Sequence, residues 1–230
     1  MKIAFIPIML LIVSGFVFAQ AFTDTYPQVQ DCKFTSTGQN SYFILQPGYQ
    51  QTYEGIDGKQ NVRLVITVLD ETKVIGGIET RVVKEKELHN GQLAEVSRNF
   101  FAICKRDNSV FYFGETTDIY RNGVVVSHEG AWQQGLNGAH GGLVMPAIAL
   151  LGAKYFQEVA PNVAMDRAEI VSVTDTVQTP AGTFRNCVRT RETTPLEPDS
   201  IEFKEYAPGI GLIQDETLKL VNVTTVAGPE

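Results

Sequence analysis

The sequence runs to 230 residues, with 19 basic and 26 acidic side chains and a formal net charge of −7. That mild acidity, with no basic run anywhere, excludes nucleic acid and an anionic membrane surface as partners, since both are bound through clustered positive charge. The length fits one all-β domain that buries its own core.

At the start, Lys2 supplies a positive charge, Ile3 to Phe18 carry none, and Val17-Phe18-Ala19 and Ala19-Gln20-Ala21 offer small residues for cleavage. The apolar run is shorter than the roughly 20 residues of a bilayer-spanning helix. The expectation is a signal peptide over residues 1–21, cleaved after Ala19 or Ala21, and a single β domain over 22–230. Lys2 is the only charged residue in the leader, so its removal takes the formal charge from −7 to −8. No cysteine stands at the cleavage point, which predicts no lipid attachment there. The mature chain is expected to be secreted or periplasmic and not inserted in a membrane. Cys32, Cys104 and Cys187 are an odd count, so at most one bridge forms within the chain. Spacing does not select the pair, and three buried thiols are the alternative.

Alternation of apolar and polar residues is the main signal further along. In 61–69, Val62, Leu64, Ile66 and Val68 share one face while Asn61, Arg63 and Thr67 share the other, the pattern of a half-buried strand. The same reading predicts strands over 77–88, 93–105, 110–120, 124–129, 168–179, 182–193, 201–206 and 217–226. Gly76-Gly77, Asn90-Gly91, Asp107-Asn108, Asn122-Gly123 and Pro180-Ala181-Gly182 mark the turns between them. Asn-Gly is the strongest of these cues, because both central residues of the favoured hairpin turn need positive φ. The predicted fold is all-β: an antiparallel meander curled into a barrel or half-barrel to bury its apolar face. Residues 130–161 break the regularity with Gly135, Gly138, Gly141, Gly142, Gly152 and Pro146. They are expected to form one long glycine-rich loop covering the sheet, with a short helix over 145–156.

Two stretches near the C-terminus, Thr179-Pro180-Ala181-Gly182-Thr183-Phe184 and Glu205-Tyr206-Ala207-Pro208-Gly209-Ile210-Gly211-Leu212-Ile213, carry a resemblance. They are similar to secreted bacterial families whose sheets wrap like those of the periplasmic lipoprotein carriers LolA and LolB. The resemblance covers roughly the last quarter of the chain and implies a β half-barrel, not an activity.

Polar residues on apolar faces are the candidate site. Phe184, Val188 and Glu192 share a face, as do Phe111, Phe113 and Glu115, so both carboxyls end apolar stripes. A desolvated carboxyl titrates high unless it is paired with a cation. Glu202, Lys204 and Tyr206 share a strand face, which in a curled sheet can line a cavity together with Glu115 and Glu192. Trp132 stands beside the glycine-rich segment, as core plug or as wall of a pocket mouth. His128 and His140 complete the set of candidate ligand-binding residues.

The first reading of function is a non-catalytic extracytoplasmic protein that holds a small-molecule or lipid ligand in its curved sheet, with no metal and no cofactor. A second is a hydrolase or lyase in which Glu115, Glu192 and His128 share acid and base roles. A third is a copper-binding protein using His128, His140 and Met145, although no His-x-His or His-x-x-x-His pair exists. Ser127 and His128 are neighbours on a strand and point to opposite faces, so they do not form a nucleophile and base.

Overall fold

The structure, a computed structural model, describes residues 21–24 and 32–226. The expected leader lies outside the described residues except for Ala21. A short N-terminal strand, β1 (Phe34–Thr35), precedes the hairpin of β2 (Gly38–Asn40) and β3 (Phe43–Leu45). A first run of long strands follows: β4 (Tyr49–Asp57), β5 (Gln60–Ile75), β6 (Ile78–His89), β7 (Gln92–Cys104) and β8 (Val110–Arg121). Short strands come next: β9 (Val124–Ser127), β10 (Trp132–Gln133), β11 (His140–Met145), β12 (Lys154–Phe156) and β13 (Glu158–Val159). A second run completes the chain: β14 (Arg167–Thr179), β15 (Gly182–Thr194), β16 (Glu197–Ala207), β17 (Gly211–Asp215) and β18 (Leu218–Thr225).

Hydrogen bonding places thirteen of these in the order β12-β14-β15-β16-β17-β18-β4-β5-β6-β7-β8-β11-β13, antiparallel throughout, with β1 paired to β7, β9 and β10 paired to β8, and β2–β3 a separate two-stranded sheet. The two meanders are joined where β18 pairs with β4. The path ends on β12 and β13, which are consecutive in the chain and separated only by Gln157, so the sheet is nearly closed into a barrel. The hairpin turns follow the sequence chemistry: Gly76-Gly77, Asn90-Gly91 and Asn122-Gly123 all take positive φ at both central positions.

No helix occurs among the described residues, and the one expected over 145–156 is replaced by extended chain. Met145 ends β11, fully buried and opposite Val110, while Tyr155 in β12 pairs with Ala168. The open edges of β8 and β14 outbid a weak helical period, and Pro146 and Gly152 interrupt what lies between. The segment 130–161 is likewise not one covering loop, because it supplies β10 to β13 and completes the barrel. Its paired glycines serve close packing. A Cβ on Gly142 would stand 2.4 Å from the Phe156 carbonyl oxygen, so only glycine lets β11 lie against the closing segment.

Strand β7 is buried on both faces around Phe100 to Cys104, which explains the unbroken apolar run there. Phe101 and Ile103 belong to the core inside the barrel. Phe100, Ala102 and Cys104 pack outside with Phe111 and Phe113, beneath Phe34. The Phe34 ring stands edge-on to Phe111 at 5.7 Å and to Phe113 at 5.3 Å. A disulfide between Cys32 and Cys104 ties this outer layer to the barrel, and Cys187 is a buried free thiol.

The cover of the barrel is the β2–β3 hairpin. Asn40, buried, donates from Nδ2 to the carbonyls of Asn108 and Pro146, at 2.9 and 3.0 Å. The Gly209 amide donates to the Ser41 carbonyl at 2.7 Å. The hairpin thus bridges the β7–β8 and β16–β17 turns, which the antiparallel order puts at the same end of the barrel.

Candidate functional site

Beneath that cap lies a cavity of about 280 Å³. The cap contributes Tyr42, Phe43 and Ile44, which join Leu64, Ile66, Val68, Val83, Phe101 and Leu212 as an apolar wall. The charged part of the lining is acidic, with Glu85, Glu115, Glu158, Asp166, Glu192 and Asp215 against the single cation Lys204, and Gln51, Asn99, Gln157 and the tyrosines Tyr49, Tyr112 and Tyr206 add uncharged polar groups.

Strand register explains this composition. Val68, Val83, Asn99 and Glu115 stand opposite one another across β5 to β8 and therefore share the inner face. One step along, Ile66 faces Glu85, so the wall changes from aliphatic to acidic within two residues. On the other side of the barrel Thr190 faces Lys204, which faces Asp215.

Lys204 Nζ lies 3.0 Å from Glu192 Oε2 and 3.9 Å from Asp215 Oδ2. Burial pushes the ammonium down, but Asp215 and Glu192 outweigh it and hold Lys204 well above the usual lysine range. The second Glu192 oxygen accepts from Thr190 Oγ1 at 3.0 Å and from Gln157 Nε2 at 3.3 Å. Glu192 is therefore paired with a cation through one oxygen and hydrogen-bonded through the other.

The remaining carboxyls differ. Burial pushes Glu85 up to about 7, against the pull of Lys204, and pushes Glu115 up to about 7, against a hydrogen bond from Tyr112. Burial also drives Glu158 well above the carboxylate range, with the neighbouring Asp166 adding to the effect. Glu158 Oε1 accepts the Asp166 amide at 2.8 Å. Burial raises Asp166 as well, while Lys204 opposes the shift. Tyr112 donates to Asn99 Oδ1 at 2.6 Å, and its ring stacks on Phe101 at 4.7 Å. Gln157, which is 7% exposed, has no hydrogen-bond partner for its Oε1 among the described residues.

Of the residues singled out by sequence, Glu115, Glu192 and Lys204 line this one cavity. Glu202 stands opposite Glu192 on the same sheet face, exposed and beyond the lining. Trp132 is buried, packs edge-on against Tyr112 at 5.1 Å and walls a second cavity of about 250 Å³ that shares Glu115 with the first. It is both core plug and pocket wall.

The histidines fall elsewhere. His128 is 70% exposed, with Nδ1 2.9 Å from Asp118 Oδ1 and from the Thr117 carbonyl, because β9 is an edge hairpin with no cover. It cannot share acid–base work with Glu192 inside the barrel. His140 is exposed at the start of β11, while Met145 ends that strand fully buried, about 16 Å away at strand rise. The copper set is therefore not assembled. Among the described residues no group of three or more His, Cys, Asp or Glu side chains is placed to hold a metal ion.

Sequence reasoning missed Glu85, Gln157, Glu158, Asp166 and Asp215. Counting inward from Val83 does reach Glu85, but Lys84-Glu85-Lys86-Glu87 reads as solvated on both faces. Comparison with known protein families, with curated proteins and with solved structures finds no match to this chain.

Proposed function

We propose that this chain is an extracytoplasmic binding protein that holds a small lipophilic ligand with a polar end inside its barrel, without chemical turnover. The observation that carries the reading is the capped cavity in which an aromatic and aliphatic wall meets a polar floor. At about 280 Å³ it sits near the lower end of small-molecule sites, which commonly span ~300–1,000 Å³. The lining includes no Ser, Thr, Cys or His to act as nucleophile or imidazole base. Its one amine is held as an ammonium by Glu192 and Asp215, unsuited to Schiff-base chemistry. The Cys32–Cys104 bridge supports an oxidising, secreted or periplasmic compartment. The likeness to LolA and LolB belongs to the same proposal, supported only by the way the sheet wraps.

The test is the uncharged fluorophore N-phenyl-1-naphthylamine, whose emission rises on entering an apolar site. Wild-type protein should bind it saturably, and Ala164→Phe, which puts a ring into the cavity, should abolish the signal while the protein stays folded. Equal binding by the two proteins would place the apolar site elsewhere and end the proposal.

A further inference from the structure

We infer that the polar end of the ligand is a cation, so that the cavity takes an amphipathic amine: an ammonium among the carboxyls with its hydrocarbon against the cap. This inference rests on the cavity being a ligand site and specifies the chemistry of what enters it. Six carboxyl groups face the space against one lysine, and that lysine is already engaged by Glu192 and Asp215. No free cation in the lining remains for an anionic ligand.

Three acceptors are left over. Glu85 makes no side-chain hydrogen bond to any described residue, although it lines the cavity. Among the described residues Glu115 meets the Tyr112 hydroxyl, whose single proton it must share with Asn99 Oδ1, 2.6 Å from that hydroxyl. Gln157 anchors its amide nitrogen on Glu192 and presents an oxygen that is buried and has no donor. A buried acceptor without a donor carries an uncompensated desolvation cost, so this oxygen is a place where a ligand hydrogen stabilises the complex. An ammonium brings three donors and a positive charge, which is what these groups lack. A hydroxyl brings one donor and no charge; a carboxylate brings neither.

Proton linkage follows from the same arrangement. Glu85 faces Lys204, Asp215, Glu95 and Glu87, and Glu115 faces Tyr112, Glu85, Glu95, Asp166 and Glu158. Burial, with the acidic neighbours adding to it, keeps protons on Glu85 and Glu115 up to about 7. An ammonium replaces them, so its affinity rises with pH through the range where Glu85 and Glu115 ionise.

The experiment is calorimetric titration of the intact protein with octylamine, octanol and octanoate, which share one chain and differ in head group. The ammonium of octylamine keeps its proton over the whole range used. At about pH 8.5 octylamine should bind at least about tenfold more tightly than octanol, with octanoate weakest, and the preference should shrink severalfold by about pH 5.5. Glu85→Gln should cut the octylamine-to-octanol ratio about fivefold, with a thermal melt showing that the variant is folded. If Glu85→Gln fails to fold, the pH dependence of the wild-type ratio decides. Octanol or octanoate binding as tightly as octylamine overturns the cation inference and leaves the cavity reading standing. Binding of none of the three overturns both.

Discussion

Glu192 and Lys204 meet inside the barrel, Oε2 to Nζ at 3.0 Å, with the Glu192 side chain only 7% exposed. Each partner holds the other's charge away from water. Removing the ammonium with Lys204→Met leaves Glu192 and Asp215 without their cation and should cost about 3–5 kcal/mol, whereas Glu192→Gln leaves Lys204 with Asp215 and should cost less. The double replacement Glu192→Gln with Lys204→Met should lose less than the sum of the single changes. Urea unfolding of the three variants measures this cycle, and additive losses would mean the two side chains do not interact.

Glu115 should behave in the opposite way. Burial raises its carboxyl to about 7, so between the ordinary glutamate range and about 7 the folded state binds more protons than the unfolded chain. Its contribution to stability is fully present below the unfolded pKa and is lost as pH rises through about 7. Glu85 and Glu158, also raised chiefly by burial, have the same sign. The Tm should therefore fall from about pH 5 to about pH 8, and Glu115→Gln should flatten that slope while raising or preserving the Tm at pH 8. A Tm that climbs over this interval contradicts the assignment.

Closure of the barrel depends on Gly142. A methyl group there meets the Phe156 carbonyl oxygen at 2.4 Å and the Gln157 carbonyl carbon at 2.6 Å, both backbone atoms that cannot swing aside. Gly142→Ala should destabilise by about 1–3 kcal/mol. Amide hydrogen exchange should quicken in β11 to β13 first, and uniform protection across those strands would show that the seam is looser than described.

The Cys32–Cys104 bridge closes a loop spanning a sequence separation of 72 and fastens the Phe34 layer to the barrel. By the chain-entropy account, replacing both cysteines with Ser should cost about 4 kcal/mol. Intact mass after alkylation should show no label on the native oxidised protein and a single label, on Cys187, once it is unfolded without reductant. Two or three labels would contradict the pairing.

Much of the fold was legible because aliphatic alternation survives wherever a strand packs on one face, as in Val62, Leu64, Ile66 and Val68 of β5. Strand β4 escaped notice because its alternate positions Tyr49, Gln51 and Tyr53 serve a partly polar interior instead of an oily one. Glu192 stood out at the end of an apolar stripe, whereas the stripe that pointed to Glu115 was misread: Phe111 and Phe113 pack outside, and a register shift between Asn99 and Phe101 brings Glu115 to the inner face with Tyr112. Their unlike environments were not legible, since Lys204 and Gln157 reach Glu192 from distant parts of the chain. Residues 130–161 misled for a related reason. Glycine reads as loop in one dimension, whereas Gly142 is there because two backbones touch. Gln157, Glu158 and Asp166 were hidden in or beside that segment, and only barrel closure brings them to the cavity.

The central claim is that the barrel holds a ligand, and native mass spectrometry of the protein purified gently from the cells that make it tests it most directly. The account predicts a stoichiometric adduct of a small amphipathic molecule, released on unfolding and missing from Ala164→Phe. A bare polypeptide mass for the wild type, with no adduct regained after incubation with the extract it came from, would contradict it.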